Sequence, residues 1–234
     1  MHAPIIEGMN PLLEKVDCVL FDLDGTLVET NIDFPLMKCQ MVALAAEYGV
    51  HSDHLTHMDI LAIVDWTVSY LYDQGKDHEA KEMRSRAMQI LEEIELRHAK
   101  STQEVPHAHE LLTELRARHI PYGVVTRNCR GASWESLRLV GIVPDVLVCR
   151  EDTVRHKPHP DPLRVALGIF GAHPGNSIMV GDHIMDVQSG RAAGMVTIGL
   201  LSDNRPPDFF DEIAPDFVAR NLLEALDAIV GHHS

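Results

Sequence analysis

Short, unbroken apolar runs are the feature that most restricts what this chain can fold into. Cys18-Val19-Leu20-Phe21, Tyr122-Gly123-Val124-Val125, Val146-Leu147-Val148-Cys149, Ser177-Ile178-Met179-Val180 and Met195-Val196-Thr197-Ile198 are too short for buried helices. They also lack the polar alternation of a half-exposed strand, so they fit strands covered on both faces, as in a parallel sheet. Helix-length segments separate them: Ala108 to His119, Ala132 to Val140, Pro162 to Phe170 and Ile184 to Ala193, with Asn221 to Val230 as a final helix. Strands alternating with helices predict an α/β fold, a mostly parallel sheet with helices on both faces.

One stretch interrupts the alternation. Between Asn31 and Thr102 three helical patterns follow one another with no strand-like run. Phe34 to Tyr48 begins after Asp33, a residue suited to N-capping, and stops at Gly49. Leu55 to Tyr72 carries Leu61, Val64, Val68 and Leu71 at helical spacing, and Gly75 separates it from Lys76 to Ala99. The expected organisation is an α/β core of residues 1–30 and 103–234 with a helical domain, 31–102, inserted after the first strand.

Composition narrows the function classes. With 45% hydrophobic and 24% charged residues the chain reads as an ordinary globular protein. A formal net charge of -15 argues against a nucleic acid or an anionic membrane as the main partner. No apolar run approaches membrane-spanning length, and residues 1–10 lack a basic start followed by an apolar stretch. The four cysteines form no CxxC pair and no dense framework, which predicts a reducing, cytoplasmic setting with Cys18 and Cys149 as small core residues. Histidines cluster at His51, His54 and His57, and pair at His107 with His109 and at His156 with His159; a solvated polar face is the expected reading, with a metal site as the alternative.

Chemistry-bearing residues gather at four places. The first apolar run ends in Asp22-Leu23-Asp24-Gly25-Thr26, and two carboxylates this close at the mouth of a buried sheet need a compensating cation. Magnesium, a hard ion that takes carboxylates, waters and phosphate oxygens, fits that need, while a capping turn is the alternative. Gly25 allows a sharp turn, and the Thr26 hydroxyl is expected to bond within its own loop. The second place is Thr126-Arg127-Asn128, where a strand delivers a hydroxyl to the carboxyl edge of the sheet, facing the same crevice as Asp22. Third is Arg155-His156-Lys157-Pro158-His159-Pro160, whose prolines are expected to hold the chain extended around Lys157. Fourth is Gly181-Asp182-His183-Ile184-Met185-Asp186, with the two aspartates four residues apart on one side of a turn.

The run FDLDGTLVET, followed in order by the other three motifs, resembles the haloacid dehalogenase-like hydrolases, and within them the phosphoglycolate-phosphatase-like branch. The resemblance spans nearly the whole chain. It implies a Rossmann-like core with a helical cap, and a magnesium-dependent phosphatase acting on small phosphate monoesters of the phosphoglycolate or sugar-phosphate type. By the same resemblance Asp22 is the nucleophile and Asp24 the acid–base group, and Asp22, Asp182 and the backbone carbonyl of Asp24 hold the metal. Thr126 and Lys157 contact the phosphoryl oxygens, Asn128 belongs to the same phosphate-binding turn, and Asp186 supports the metal or the lysine. Arg127 departs from the small or amide residue common at its position, and either adds an anion contact or points to solvent.

Rival readings remain beside this one. Asp24 argues against dehalogenase and phosphonatase chemistry, and Thr26 stands where sugar phosphomutases of this branch commonly carry an apolar residue. A phosphomutase is the enzymatic alternative; a receiver-like or binding-only domain is the non-enzymatic one. Lys38, Arg84, Arg86 and Arg97 in the insert either meet an anionic substrate or are surface charges. The expected partner is a small phosphorylated metabolite, and no spacing in the chain speaks to oligomeric state.

Overall fold

The computed structural model describes residues 11–51, 53–202 and 205–231. Six parallel strands form the main sheet: β1 (Cys18–Phe21), β4 (Tyr122–Val125), β5 (Val146–Val148), β6 (Ser177–Gly181), β7 (Val196–Leu200) and β8 (Phe217–Ala219). Their order across the sheet is β5-β4-β1-β6-β7-β8. The chain thus builds outward from β1 on one side and then returns to build on the other. The order reverses beside β1, and that is where a crevice opens at the carboxyl ends of such a sheet.

The apolar runs form strands because both faces are covered. Along β1, Val19 and Phe21 enter one core, with helices α4 (Ala108–Ala117), α5 (Arg130–Val140) and α8 (Leu222–Val230) contributing Leu111, Leu137 and Ala225. Cys18 and Leu20 enter the other, which takes Leu163 and Leu167 from α6 (Asp161–Phe170) and Ala193 from α7 (Ile184–Ala193). The period-two alternation of β1 is therefore invisible in sequence, since both of its faces are apolar. The four cysteines are free; Cys39 is exposed, and Cys18, Cys129 and Cys149 are buried.

Two compact units emerge, one comprising the chain up to Thr30 and from Ser101 onward, the other Asn31–Lys100. The second unit holds α1 (Phe34–Glu47), α2 (Ile60–Asp73) and α3 (Asp77–Ala99) around its own core, in which Met41, Leu55, Ile63, Leu71, Met83 and Leu91 are buried. Asp33 caps α1 by accepting from the Leu36 amide at 2.9 Å. The helix expected from Leu55 to Tyr72 is broken. Asp53–His57 forms a 3-10 turn, and α2 starts afresh after Asp59, whose carboxylate accepts from the Leu61 amide at 3.0 Å. The aspartate competes as a cap where an unbroken helix would have needed it inside.

Two short strands escape the sequence patterns. β2 (Val28–Glu29) and β3 (Gln103–Glu104) pair antiparallel, Val28 opposite Glu104 and Glu29 opposite Gln103. The pair closes the base of the excursion within the first unit. No helix among the described residues is long and apolar enough to cross a membrane.

Candidate active site

The carboxyl edge of the sheet gathers the four motifs. Asp22 follows the last residue of β1, and its amide donates to the Val180 carbonyl of β6 at 2.9 Å, which fixes the Asp22 loop to the neighbouring strand. Asp182 follows β6 directly, and Asp186 sits in the first turn of α7. Asp22, Asp182 and Asp186 each bring a carboxylate oxygen within 4.8 Å of the other two. Two glycines make this convergence possible. A Cβ at Gly25, whose φ is +80, would fall 2.6 Å from an Asp182 oxygen, and one at Gly181 would fall on Asp186. Only glycine leaves both carboxylates room.

Lys157 is the counter-charge. Its ammonium donates to Asp22 Oδ1 at 2.5 Å, to the Val125 carbonyl at 2.8 Å, and pairs with Asp186 Oδ1 at 2.8 Å. An ammonium has three donors, so this tripod uses all of them. The chain does not run extended here: the His159 amide donates to the His156 carbonyl at 2.8 Å, folding a turn that aims Lys157 inward. The prolines shape that turn rather than straighten it.

One ammonium faces three carboxylates, Asp186 buried and Asp22 and Asp182 partly so, and the imbalance registers in the protonation of Asp22 and Asp182. Burial, then the Asp22 and Asp186 charges, push Asp182 up to about 7. Burial raises Asp22 as well, with Asp186 adding to the effect and Lys157 opposing it. For Lys157, burial opposes the charged form, but Asp186 and Asp22 outweigh it and the ammonium is held above its ordinary value. A hard divalent cation matches such a donor set: oxygen ligands, excess negative charge and convergent geometry. The donors present therefore fit a magnesium ion, and no histidine belongs to the cluster.

Asp24 has partners of its own. Its carboxylate accepts hydrogen bonds from the Thr30 hydroxyl and the Asn128 side-chain amide, one oxygen to each. The Thr126 hydroxyl accepts from the Asn128 amide at 3.2 Å, which leaves its own proton to donate elsewhere. Arg127 reaches the sulfur of Met185 with one guanidinium nitrogen at 2.9 Å, and its carbonyl accepts from Arg150 at 3.1 Å. Its side chain is partly buried rather than simply pointing to solvent. Thr26 also differs from expectation: its fully buried hydroxyl makes no hydrogen bond among the described residues. The glycine turn directs that side chain into the core instead of back onto the loop.

Thr30 and Arg205 hold positions that sequence patterns did not reveal. Thr30 reaches Asp24 because β2 carries the chain back from the Gly25 turn, whose amide donates to the Val28 carbonyl at 2.7 Å. Asp186, expected to support the metal or the lysine, pairs with Lys157 at 2.8 Å and has a carboxylate oxygen in the cluster. Arg205 stands 3.8 Å from Asp182 Oδ2, in the loop that follows β7. The only signal for Arg205 was its place after a strand end. In the second unit, Arg84 pairs with Asp65 and Arg86 with Glu47, each at 2.7 Å.

Comparison with known proteins agrees with this geometry. The model of the haloacid dehalogenase-like hydrolase family matches residues 19–200. The pyrophosphatase PpaX of Oceanobacillus iheyensis is 28% identical over 222 residues, covering 93% of this chain and 98% of that protein. Among solved structures, a predicted phosphoglycolate phosphatase from Haemophilus somnus is 22% identical with a TM-score of 0.60, covering 91% of this chain and 97% of that one. A family hydrolase from Deinococcus radiodurans, solved with bound phosphate and sodium, is 25% identical with a TM-score of 0.58 over 92% of this chain and 95% of that one. The chain belongs to the haloacid dehalogenase-like hydrolase family.

Proposed function

We propose that this protein is a magnesium-dependent phosphatase that hydrolyses small phosphate monoesters through an aspartyl-phosphate on Asp22. The observation that carries the reading is the unlike surroundings of two carboxylates two residues apart. Asp22 sits among Asp182, Asp186 and Lys157, whereas the Asp24 carboxylate accepts from Thr30 and Asn128. Paired carboxylates in unlike environments are the arrangement by which one group attacks while its neighbour moves protons.

Asp22, Asp182 and Asp186, with the backbone carbonyl of Asp24, are the groups that would hold magnesium. The ion supplies charge neutralisation and alignment of the phosphoryl group. In the first step an Asp22 carboxylate oxygen bonds to phosphorus and the ester P–O bond breaks. The electron pair leaves on the alkoxide, which takes its proton from the Asp24 carboxyl. In the second step Asp24, now a carboxylate, accepts a proton from water as that water attacks phosphorus. Phosphate leaves and Asp22 is restored.

Lys157 limits repulsion between Asp22 and an incoming dianion, since its charge sits 2.5 Å from the attacking carboxylate. Thr126, whose hydroxyl oxygen accepts from the Asn128 backbone amide, donates its proton to a phosphoryl oxygen. Phosphoglycolate, sugar phosphates and pyrophosphate are the substrates to assay, the last because the PpaX relatives are pyrophosphatases. A panel of phosphorylated metabolites, assayed for phosphate release with magnesium and with chelator, tests the reading. Release that requires magnesium is the expected result; no release from any phosphate ester, or full release in chelator, would overturn it.

A further inference from the structure

We propose that Arg205 is a specificity-determining residue of this site, a preset cation that selects substrates with a second negative charge beside the scissile phosphoryl group. The inference rests on the phosphatase reading above and narrows its substrate class.

Arg205 lies beyond the carboxyl end of β7, on the same sheet edge as Asp22, Thr126 and Asp182. Its guanidinium is mounted on a built platform. The group lies over the Phe209 ring, 4.5 Å from the centroid, and Phe209 in turn meets Phe210 edge-on at 4.9 Å. Phe210 is buried and seated on β7 where Gly199 leaves space; a Cβ at Gly199 would fall 2.9 Å from that ring. Farther along, Arg191 donates to the Ile213 and Ala214 carbonyls, each at 2.5 Å, and ties the end of the loop to α7. A guanidinium stacked on an anchored aromatic gives up little further freedom when it binds an anion.

Charge accounting points the same way. Lys157 has all three donors committed inside the protein. Among the described residues the Arg205 guanidinium makes no hydrogen bond, and its nearest carboxylate oxygen, on Asp182, is 3.8 Å away, an ion pair without a hydrogen bond. Its planar fork is therefore available to a carboxylate or phosphoryl group in two-pronged fashion. Arg205 stands 3.8 Å from Asp182, and Asp182 has a carboxylate oxygen within 4.8 Å of one on Asp22, so a second charge held by Arg205 sits close to the phosphoryl group being transferred. A carboxylate one carbon beyond the ester oxygen satisfies this, as does a second phosphoryl group.

The test compares substrates of matched size. Phosphoglycolate and ethyl phosphate differ chiefly in replacing a carboxylate by a methyl group, and pyrophosphate and methyl phosphate form the second pair. The measurement is the ratio of kcat/KM within each pair for wild type, Arg205→Gln and Arg205→Lys. Wild type is expected to favour the doubly anionic member of at least one pair, and that pair identifies the second group. In Arg205→Gln that preference should fall about tenfold or more, mainly through KM, with partial recovery in Arg205→Lys. An unchanged ratio in Arg205→Gln, or an equal preference for both members in wild type, would overturn the proposal while leaving a working phosphatase. Absence of hydrolysis of all four compounds and of p-nitrophenyl phosphate would instead overturn the phosphatase reading and this inference with it.

Discussion

Lys157 and Asp186 form a buried ion pair, Nζ to Oδ1 at 2.8 Å, with each side chain only 3% exposed. The pair joins the turn after β5 to the first turn of α7, and the same ammonium reaches Asp22. Removing one member of a buried pair leaves an uncompensated charge, a loss worth about 3–5 kcal/mol. Lys157→Met should therefore lower the metal-free unfolding free energy by roughly that much. Urea denaturation in chelator measures it. A change within about 0.5 kcal/mol, the usual range for surface substitutions, would mean the ammonium is not what balances this corner.

Asp182 makes stability depend on pH. Its carboxyl stands at about 7, above the ordinary 3.8, so the folded state favours the protonated form. The stability linked to this group is thus fully present below the unfolded value and is lost as pH rises through about 7. A cation bound there competes with that proton. Saturating magnesium should raise Tm more at about pH 8 than at about pH 5.5. An equal or larger shift at the lower pH would remove Asp182 from the cation site.

Asp24→Asn should distinguish a proton-transfer role from a structural one. Amide replacement can still accept from Asn128 with its oxygen and donate to the Thr30 hydroxyl with its NH2, but it cannot act as the acid toward a leaving alkoxide. Burst kinetics with 2,4-dinitrophenyl phosphate, whose leaving group needs no protonation, should retain a rapid first step. Steady-state turnover of alkyl phosphates should fall by about 10²–10⁴. Equal losses of the first step for aryl and alkyl esters would contradict the assignment.

The core was legible where local pattern and tertiary demand coincide. Phe21 and Asp22 mark the strand end because burial stops where the carboxylate begins, and α7 runs from Ile184 to Ala193 as its spacing predicts. Asp59 was misread because a cap and a helical interior position look alike until the preceding turn is seen. β8 was missed because Phe217-Val218-Ala219 is short and lies at the sheet edge, with Val218 exposed. The same limit applies to the site. Asp22, Asp24, Thr126, Lys157 and Asp182 each end or flank a recognisable run, whereas Thr30 and Arg205 gain their places only through the β2 return and the Phe209 platform. Asp186 lies between these cases: its four-residue spacing from Asp182 was visible, but its contact with Lys157 depends on chain folding.

Thr26 yields a prediction opposite to the usual cost of altering a buried loop. Its hydroxyl has been removed from water without a partner among the described residues. Thr26→Val keeps the branched shape and deletes the unsatisfied group, so stability should hold or rise by up to about 1 kcal/mol. Thermal unfolding of the two proteins checks this; a loss above about 1 kcal/mol would reveal a hydrogen bond worth a typical net contribution.

The central claim is that Asp22 attacks phosphorus, and steady-state turnover by Asp22→Asn at saturating magnesium tests it most directly. The substitution preserves size and removes the nucleophilic carboxylate from the reach of Lys157, 2.5 Å away in the wild-type protein. With p-nitrophenyl phosphate and freshly purified protein, turnover should fall to the background rate, a loss of about 10³ or more. Turnover within about tenfold of wild type would contradict the covalent route and leave the carboxylate cluster as a metal site alone.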